Sequence, residues 1–277
     1  MKLSFYPGCS LEGMANDYCE SIYAVFKDLG IDLVEIEDWT CCGATAAHSL
    51  SEVMSVILPA RNLAAAEEMG LDILCPCSLC FNRLLFSQKM IKKKIFHIPW
   101  EVTGSIRVLD MTRFLAKPSI IELIKQCVLK PLDSLKVVCY YGCQMVRPPK
   151  ITGYADYENP QTLDHIASAA GAQVIDWSYK STCCGASIGI GRREIVQSLS
   201  KRILEKTRQA GADAVVVSCP LCQSNLDIVQ KDQSEPPTPI FYVTELLRLS
   251  FTDKGKPQWF KMHIADPAPL LTAKGLL

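Results

Sequence analysis

Hydrophobic and polar positions follow one another along this chain in a pattern that predicts strands and helices in turn. In the first half, short apolar runs are separated by longer segments in which apolar residues recur with a helical period. Gly30 and Gly70 end two of these helical segments, as glycine commonly does. The predicted order is strand, helix, strand, helix, strand, helix, over residues 2–6, 14–29, 31–36, 53–69, 72–74 and 78–91.

The second half of the chain repeats this order. Its predicted strands and helices alternate over residues 135–141, 160–170, 173–176, 192–210, 214–217 and 221–229. Strands that alternate with helices favour βαβ units and parallel sheets. We therefore predict an α/β fold, built as an internal duplication of a small sheet-plus-helices unit.

The duplication is clearest where the predicted strands end, because the same short cysteine motifs occur there twice. A Gly-Cys step, a Cys-Cys-Gly-Ala block and a C-x-x-C pair follow one another in each half. In the two halves they begin at Cys9 and Cys143, at Cys41 and Cys183, and at Cys77 and Cys219. The last two motifs recur at a spacing of 142 residues and the first at 134, so one insertion separates otherwise parallel copies. Self-similarity of this extent indicates a repeat architecture.

These motifs divide the chain into four parts. The first repeat covers residues 1–100, a helical connector covers 101–134, the second repeat covers 135–250 and a C-terminal arm covers 251–277. The proline-rich stretch 234–239 is predicted to be a surface loop.

Charge and hydropathy exclude several classes of function. The chain has 29 basic and 29 acidic side chains, so it offers no surplus of positive charge for nucleic acid. Its first residues lack the apolar core of a signal peptide, and no uncharged apolar run reaches the roughly 18 residues of a membrane helix. We expect a protein without a membrane span that works in the cytoplasm.

Cysteine is the unusual component, with 14 residues among 277. Without a secretory signal, such cysteines more often bind metal or carry out redox chemistry than form disulfides. Each repeat places five of them where predicted strands end and helices begin, the edge of an α/β sheet at which ligands usually lie. They are Cys9, Cys41, Cys42, Cys77 and Cys80 in the first repeat, and Cys143, Cys183, Cys184, Cys219 and Cys222 in the second.

The number of thiolates in each set distinguishes between metals. A structural zinc ion is satisfied by four ligands, which leaves no place for a fifth cysteine beside another. Several irons bridged by sulfide can use more thiolates than a single ion, so the count favours an iron–sulfur cluster over zinc. Adjacent cysteines diverge unless the backbone turns, and Gly43 and Gly185 supply the freedom for that turn. A zinc-stabilised interaction module stays open as an alternative.

The complete double pattern resembles the cysteine-rich CCG domains in the B-type subunits of heterodisulfide reductase, over nearly the whole chain. The resemblance implies that each repeat holds one noncubane [4Fe-4S] cluster. The first cluster would be bound by Cys9, Cys41, Cys42, Cys77 and Cys80, and the second by Cys143, Cys183, Cys184, Cys219 and Cys222.

The resemblance also implies an activity: reductive cleavage of a disulfide by two electrons, between the two clusters. The ligands nearest the substrate would then be Cys9, Cys41, Cys42, Cys143, Cys183 and Cys184. The implied partners are a C-type ferredoxin subunit with cubane [4Fe-4S] clusters and an A-type flavoprotein. His48 follows the first Cys-Cys-Gly motif and is a speculative proton donor to a product thiolate, whereas its counterpart Ile190 cannot donate.

A second hypothesis of another class also stays open. CCG domains occur in electron-relay subunits of other oxidoreductase complexes, which have no disulfide substrate of their own. Two complete sets of five cysteines favour the disulfide-cleaving subunit, because a relay subunit would often lose ligands from one set. Four further cysteines lie outside the repeated sets: Cys19, Cys75, Cys127 and Cys139. Of these, Cys75 and Cys139 are expected to be small buried side chains.

Overall fold

The computed structural model describes residues 1–189, 191–231, 236–253 and 255–277. Its first four strands form one parallel sheet with the order β2-β1-β3-β4. These strands are β1 (Lys2–Phe5), β2 (Asp32–Glu35), β3 (Ile73–Cys75) and β4 (Val108–Asp110). The three residues of β3 are fully enclosed, as expected of a parallel strand that is covered on both faces.

The second sheet has the same construction, with the order β6-β5-β7-β8 and parallel pairing throughout. Its strands are β5 (Lys136–Tyr140), β6 (Gln173–Val174), β7 (Ala214–Val217) and β8 (Ile240–Tyr242). Two sheets with one topology confirm the predicted α/β fold and its internal duplication.

Helices follow the strands in both halves. In the first half they are α1 (Gly8–Glu12), α2 (Asn16–Asp28), α3 (Ala47–Leu50), α4 (Glu52–Met69), α5 (Ser78–Lys92), α6 (Met111–Leu115) and α7 (Pro118–Cys127). In the second half they are α8 (Pro149–Thr152), α9 (Thr162–Ala169), α10 (Arg193–Gln209), α11 (Pro220–Ile228), α12 (Val243–Ser250) and α13 (Ala268–Ala273). Most of the long helices lie within a few residues of their predicted bounds.

Strand β4 differs from the sequence-based expectation. It lies in the segment expected to be a helical connector, and it pairs with β3 as the fourth strand of the first sheet. Its two apolar residues, Val108 and Leu109, run directly into Asp110, which caps helix α6, so the local pattern does not separate a strand from that helix. Strand β4 therefore forms because of its pairing in the tertiary structure, and the local sequence pattern does not predict it.

The two repeats pack through equivalent helices, which gives the molecule an approximate two-fold relation. Helix α2 packs on α12, and α9 packs on α6. Paired hydroxyls mark both contacts: Ser21 lies 2.6 Å from Thr244, and Thr162 lies 3.0 Å from Thr112. The repeats thus share one continuous apolar core.

The C-terminal segment is folded onto this core. It contains a 3₁₀ turn (Pro257–Phe260) and helix α13, and the side chains of Phe260 and Leu271 are buried. These apolar residues close the chain's own core. Lys254, and the first two residues of the proline-rich loop predicted at 234–239, lie outside the described residues. Within the described ranges, none of the helices has both the length and the apolar character needed to cross a bilayer.

Candidate metal centre

The cysteine motifs lie at the carboxyl ends of the strands in both sheets. In the first sheet, β2 lies on one side of β1, and β3 and β4 lie on the other side. The order in which strands are added therefore reverses between β1 and β3. Such a reversal opens a crevice at the carboxyl edge, which is where ligands bind in open parallel sheets. Cys9 follows β1, Cys41 and Cys42 follow β2, and Cys77 follows β3.

The five cysteines of the first repeat converge there. The sulfur of Cys41 lies 3.9 Å from that of Cys9, and the sulfur of Cys42 lies 3.2 Å from that of Cys80. Cys77 is within hydrogen-bond reach of Cys80, which joins it to the same group. Cys9 and Cys41 are exposed, whereas the other three are buried.

The second repeat places its five cysteines in the same arrangement. The sulfur of Cys143 lies 3.5 Å from that of Cys183, and the sulfur of Cys184 lies 3.7 Å from that of Cys222. Cys219 is within hydrogen-bond reach of Cys222. Here too the first two cysteines face solvent more than the C-x-x-C pair does.

The two groups of sulfurs adjoin one another. Cys77 of the first repeat and Cys219 of the second are both buried and close enough to shift each other's pKa, and the hydroxyl of Tyr18 donates to the carbonyl oxygen of Ser218, next to Cys219, at 3.1 Å. Asn82 strengthens this junction, because its side-chain amide donates to the carbonyl oxygens of Gln144 at 3.0 Å and Arg147 at 2.9 Å. The ten sulfurs therefore form two groups with a shared boundary.

The Cys-Cys-Gly turns have the conformation that the sequence predicts. Gly43 and Gly185 adopt φ values of +71° and +83°, in the left-handed region that favours glycine. The backbone N–H of Gly43 donates to the sulfur of Cys41 at 3.4 Å, and that of Gly185 donates to the sulfur of Cys183 at 3.2 Å. These donors stabilise a thiolate in the exposed part of each group.

When two neighbouring thiols share a hydrogen bond, the pKa of one falls and the pKa of the other rises. A hydrogen bond from Cys143 lowers the pKa of Cys183 to about 6, while the same contact raises the pKa of Cys143. Hydrogen bonds from Cys42, Cys75 and Cys77 hold the pKa of Cys80 well below its usual range. Thiols this close share protons, and a metal centre would replace the shared protons.

The donor set and the space around it fit an iron–sulfur group. All fourteen cysteines are free, so every sulfur in the two groups is available as a ligand. Soft thiolates in this number suit iron–sulfur clusters. A Cβ atom placed on Gly142 would lie 2.8 Å from the sulfur of Cys222, and one on Gly8 would lie 3.1 Å from that of Cys80. The two glycines thus leave the C-x-x-C sulfurs room that no other residue would leave.

Two tyrosines belong to the site although the sequence analysis did not single them out. The hydroxyl of Tyr6 donates to the carbonyl oxygen of Thr40 at 2.7 Å, and that of Tyr140 donates to the carbonyl oxygen of Thr182 at 2.6 Å. Each bond fixes the residue directly before a Cys-Cys pair. The signal was present in the repeat, since both tyrosines stand three residues before the first cysteine of their set.

The remaining cysteines and His48 have different positions. Cys75 is buried and its thiol donates to the backbone carbonyl oxygen of Cys77 at 3.5 Å, so it lies against the first group although it is outside the repeated pattern. Cys139 is buried in β5, whereas Cys19 and Cys127 are half-buried on helices α2 and α7. The side chain of His48 is exposed on the short helix α3, and its repeat counterpart Ile190 lies outside the described residues.

Comparison with known proteins agrees with this arrangement. The model of the CCG cysteine-rich domain family matches the chain twice, at residues 3–84 and 137–227. The chain is 32% identical to the 8-methylmenaquinol:fumarate reductase membrane anchor subunit of Wolinella succinogenes, covering 97% of this chain and 99% of that protein. It is 28% identical to the B subunit of a ferredoxin/F(420)H(2)-dependent CoB-CoM heterodisulfide reductase of Methanosarcina acetivorans, over 90% of this chain and 89% of that one.

A solved structure supports the fold alone. A crystal structure of a hypothetical protein from Helicobacter pylori superposes with a TM-score of 0.74 at 10% identity, covering 96% of this chain and 52% of that chain. The family match covers more than half of the chain, and its two segments contain the first three strands of each sheet, apart from a terminal residue or two, and all ten cysteines of the two groups. The chain therefore belongs to the CCG cysteine-rich domain family, carries the domain twice, and has B subunits of heterodisulfide reductase among its relatives.

Proposed function

We propose that this chain is the iron–sulfur subunit of a heterodisulfide reductase-like complex, in which it reduces a disulfide by two electrons. The relatives are oxidoreductase subunits, which supports redox electron transfer in general. The observation that carries the finer proposal is that the two sulfur groups adjoin, with Cys77 and Cys219 at their boundary and hydrogen bonds from Tyr18 and Asn82 joining the repeats beside them. Two electron carriers that adjoin can serve the two halves of one disulfide.

The proposed cofactors are two noncubane [4Fe-4S] clusters. The first is held by Cys9, Cys41, Cys42, Cys77 and Cys80, and the second by Cys143, Cys183, Cys184, Cys219 and Cys222. When bound, each cluster would supply one electron and a site for one sulfur of the substrate. The overall step takes up two electrons and two protons, breaks the S–S bond and releases two thiols.

The chain's own residues shape where a substrate enters. Cys9, Cys41 and Cys183 are exposed, whereas the C-x-x-C pairs are buried, so only the outer side of each group is open to an acceptor. A cavity of about 370 Å³ is lined mainly by residues of the second repeat that follow its cysteines, among them Ala186 and Asn225, with Thr45 of the first repeat. The side-chain amide of Asn225 donates to the carbonyl oxygen of Cys184 at 3.4 Å, which ties the cavity wall to the second group.

The electrons come from other proteins of the complex in this proposal. Relatives that are named as B subunits of heterodisulfide reductases imply a complex of several chains. We infer a C-type ferredoxin subunit with cubane [4Fe-4S] clusters as the direct donor, with an A-type flavoprotein upstream of it. Because all the cysteines are free, a reducing compartment such as the cytoplasm suits the chain.

A second candidate function is electron relay in another oxidoreductase complex, without a disulfide substrate. The relative that favours it is the fumarate reductase subunit of Wolinella succinogenes, which is similar over nearly its full length. The same two sulfur groups would then pass electrons between a quinol and a partner protein. The two functions require the same cofactors and differ in the acceptor.

Anaerobic turnover distinguishes them. The protein, purified without oxygen and loaded with iron and sulfide, is reduced chemically and mixed with either a disulfide panel or a menaquinone analogue. We expect stoichiometric formation of two thiols per disulfide, with reoxidation followed by absorbance. Reoxidation by the quinone alone, with no thiol released from any disulfide, would support the relay function. Protein that binds zinc and no iron would contradict both.

Gly142→Ala is expected to weaken the second cluster selectively. The added Cβ would lie 2.8 Å from the sulfur of Cys222, and the residue has φ +67°. Iron and sulfide content should fall toward half while the first cluster stays. The matched control is Gly30→Ala, which has a similar φ of +68° but open space around the added Cβ. Full iron content in Gly142→Ala would contradict the expected crowding of Cys222, and an equal loss of iron in both variants would attribute the loss to the strained φ instead.

A further inference from the structure

The two sulfur groups have the same pattern of cysteines but different neighbours. Several positions around the C-x-x-C pair differ between the repeats, and at three of them the second repeat lacks a side-chain donor or a charge that the first repeat has. Each of the three is 142 residues from its counterpart, as the C-x-x-C cysteines are. They are Cys75, Ser78 and Arg83 in the first repeat, and Val217, Pro220 and Asn225 in the second. All three side chains of the first repeat can donate a hydrogen bond, whereas valine and proline cannot.

Arg83 brings a positive charge to the first group. It is half-buried on α5, and its Nε atom is buried without a hydrogen-bond partner in the described part of the chain. Its Nη2 donates to the side-chain oxygen of Asn82 at 3.3 Å, and its charge interacts with the sulfur of Cys42. An arginine that is partly removed from water stays charged, so the charge acts on the first group with little screening.

Two further donors surround the same group. The hydroxyl of Ser78, at the first residue of α5 beside Cys77, is buried and has no hydrogen-bond partner among the described residues. The thiol of Cys75 is 1% exposed, donates to the backbone carbonyl oxygen of Cys77 at 3.5 Å and lies near the sulfur of Cys80. Two of the unsatisfied buried donors in the described structure, on Ser78 and Arg83, therefore lie on α5, next to the first set of cysteines.

The second group has a neutral neighbour instead. The side-chain amide of Asn225 lies 3.5 Å from the sulfur of Cys184 and occupies the position that Arg83 has in the first repeat. It donates to that sulfur and to the carbonyl oxygen of Cys184, and it brings no net charge. The equivalents of Cys75 and Ser78 offer no side-chain donor.

This difference in neighbouring residues changes how easily each cluster is reduced. Adding an electron to a thiolate-bound cluster makes it more negative, and nearby positive charge and hydrogen bonds to the sulfurs stabilise that state. Building on the function proposed above, we propose that Arg83, with Ser78 and Cys75, gives the cluster of the first repeat the higher reduction potential. The first electron to enter the chain then reduces the cluster of the first repeat. It stays there, next to the second cluster, until the second electron arrives.

The test is a redox titration of the loaded, anaerobic protein, followed by electron paramagnetic resonance. The single-cluster variants Cys41→Ala and Cys183→Ala assign each midpoint potential to a repeat. Arg83→Asn copies the second repeat and should lower the equilibrium constant for reducing the first cluster about tenfold, or about 59 mV for one electron. Asn225→Arg makes the reciprocal change and should raise the potential of the second cluster.

Arg107→Asn is the control, because Arg107 precedes β4 at the opposite edge of the first sheet and is largely exposed. It should leave both potentials unchanged. The inference is overturned if the second cluster has the higher potential, or if Arg83→Asn and Asn225→Arg leave the potentials where they were. If the Arg83→Asn variant does not take up iron and sulfide, the potentials measured in Asn225→Arg decide the test. A wild-type protein that takes up no iron would instead contradict the proposed function, and the inference that rests on it.

Discussion

Replacing Cys41 by alanine is expected to remove about half of the iron from the protein, and replacing Cys183 should remove the other half. Both residues are exposed, and each receives a backbone hydrogen bond from the glycine two residues later. Losing one of five thiolates leaves irons without a ligand at the open side of the group. Iron and sulfide analysis with absorption spectra on anaerobic protein would measure this loss.

The consequence for turnover is larger than the loss of iron. Each half of a disulfide needs one electron and one binding site, so a chain with a single cluster should release no thiol from the substrate. The double variant Cys41→Ala/Cys183→Ala should contain almost no iron. Cys127→Ala is the matched control, because Cys127 lies on α7 and its thiol donates to the carbonyl oxygen of Asp28, away from both groups. Full iron content and activity in both single variants would mean that the ligand assignment is wrong.

His263→Gln is expected to destabilise the fold by about 3–5 kcal/mol, because it removes one partner of a buried ion pair. The Nε2 atom of His263 lies 2.9 Å from a carboxylate oxygen of Glu245, and both side chains are 1% exposed. Asp17 lies in the same cluster, and its carboxylate accepts the backbone N–H of Met262 at 2.8 Å. Without the histidine, two buried carboxylates would have no cation between them.

The same pair predicts how stability depends on pH. Burial lowers the pKa of His263, but the charge and hydrogen bond of Glu245, with Asp227 and Asp17 nearby, raise it to about 9 overall. An unfolded histidine has a pKa of about 6.5, so the stabilisation is complete below that pH and is lost as pH rises through about 9. The difference between wild type and His263→Gln should therefore shrink at alkaline pH.

Urea unfolding at several pH values would measure this dependence. His165→Gln is the matched control, because His165 is exposed on α9. It should change stability by less than about 0.5 kcal/mol at every pH. A His263→Gln variant that is as stable as the control at pH 6, or a difference that grows toward pH 9, would contradict the ion-pair interpretation.

Sequence alone determined the parts of this protein that depend on short-range patterns. The alternation of apolar runs and helical segments is set by neighbours a few residues apart, and it predicted the main strands and helices of both repeats. The repeated cysteine motifs predicted the two groups around Cys41 and Cys183, because parallel strands bring their carboxyl ends to one edge. Gly43 and Gly185 were predicted as turn residues since a positive φ favours glycine, and both have one.

Tertiary structure decided what depends on residues far apart in the chain. Strands β4 and β8 were not among the predicted strands, and they form because they pair with β3 and β7. The contact of Cys77 with Cys219, the position of Cys75 beside Cys80 and the burial of His263 against Glu245 all arise from packing. Such contacts depend on how whole elements pack against each other, and a local pattern carries no information about which distant element will cover it.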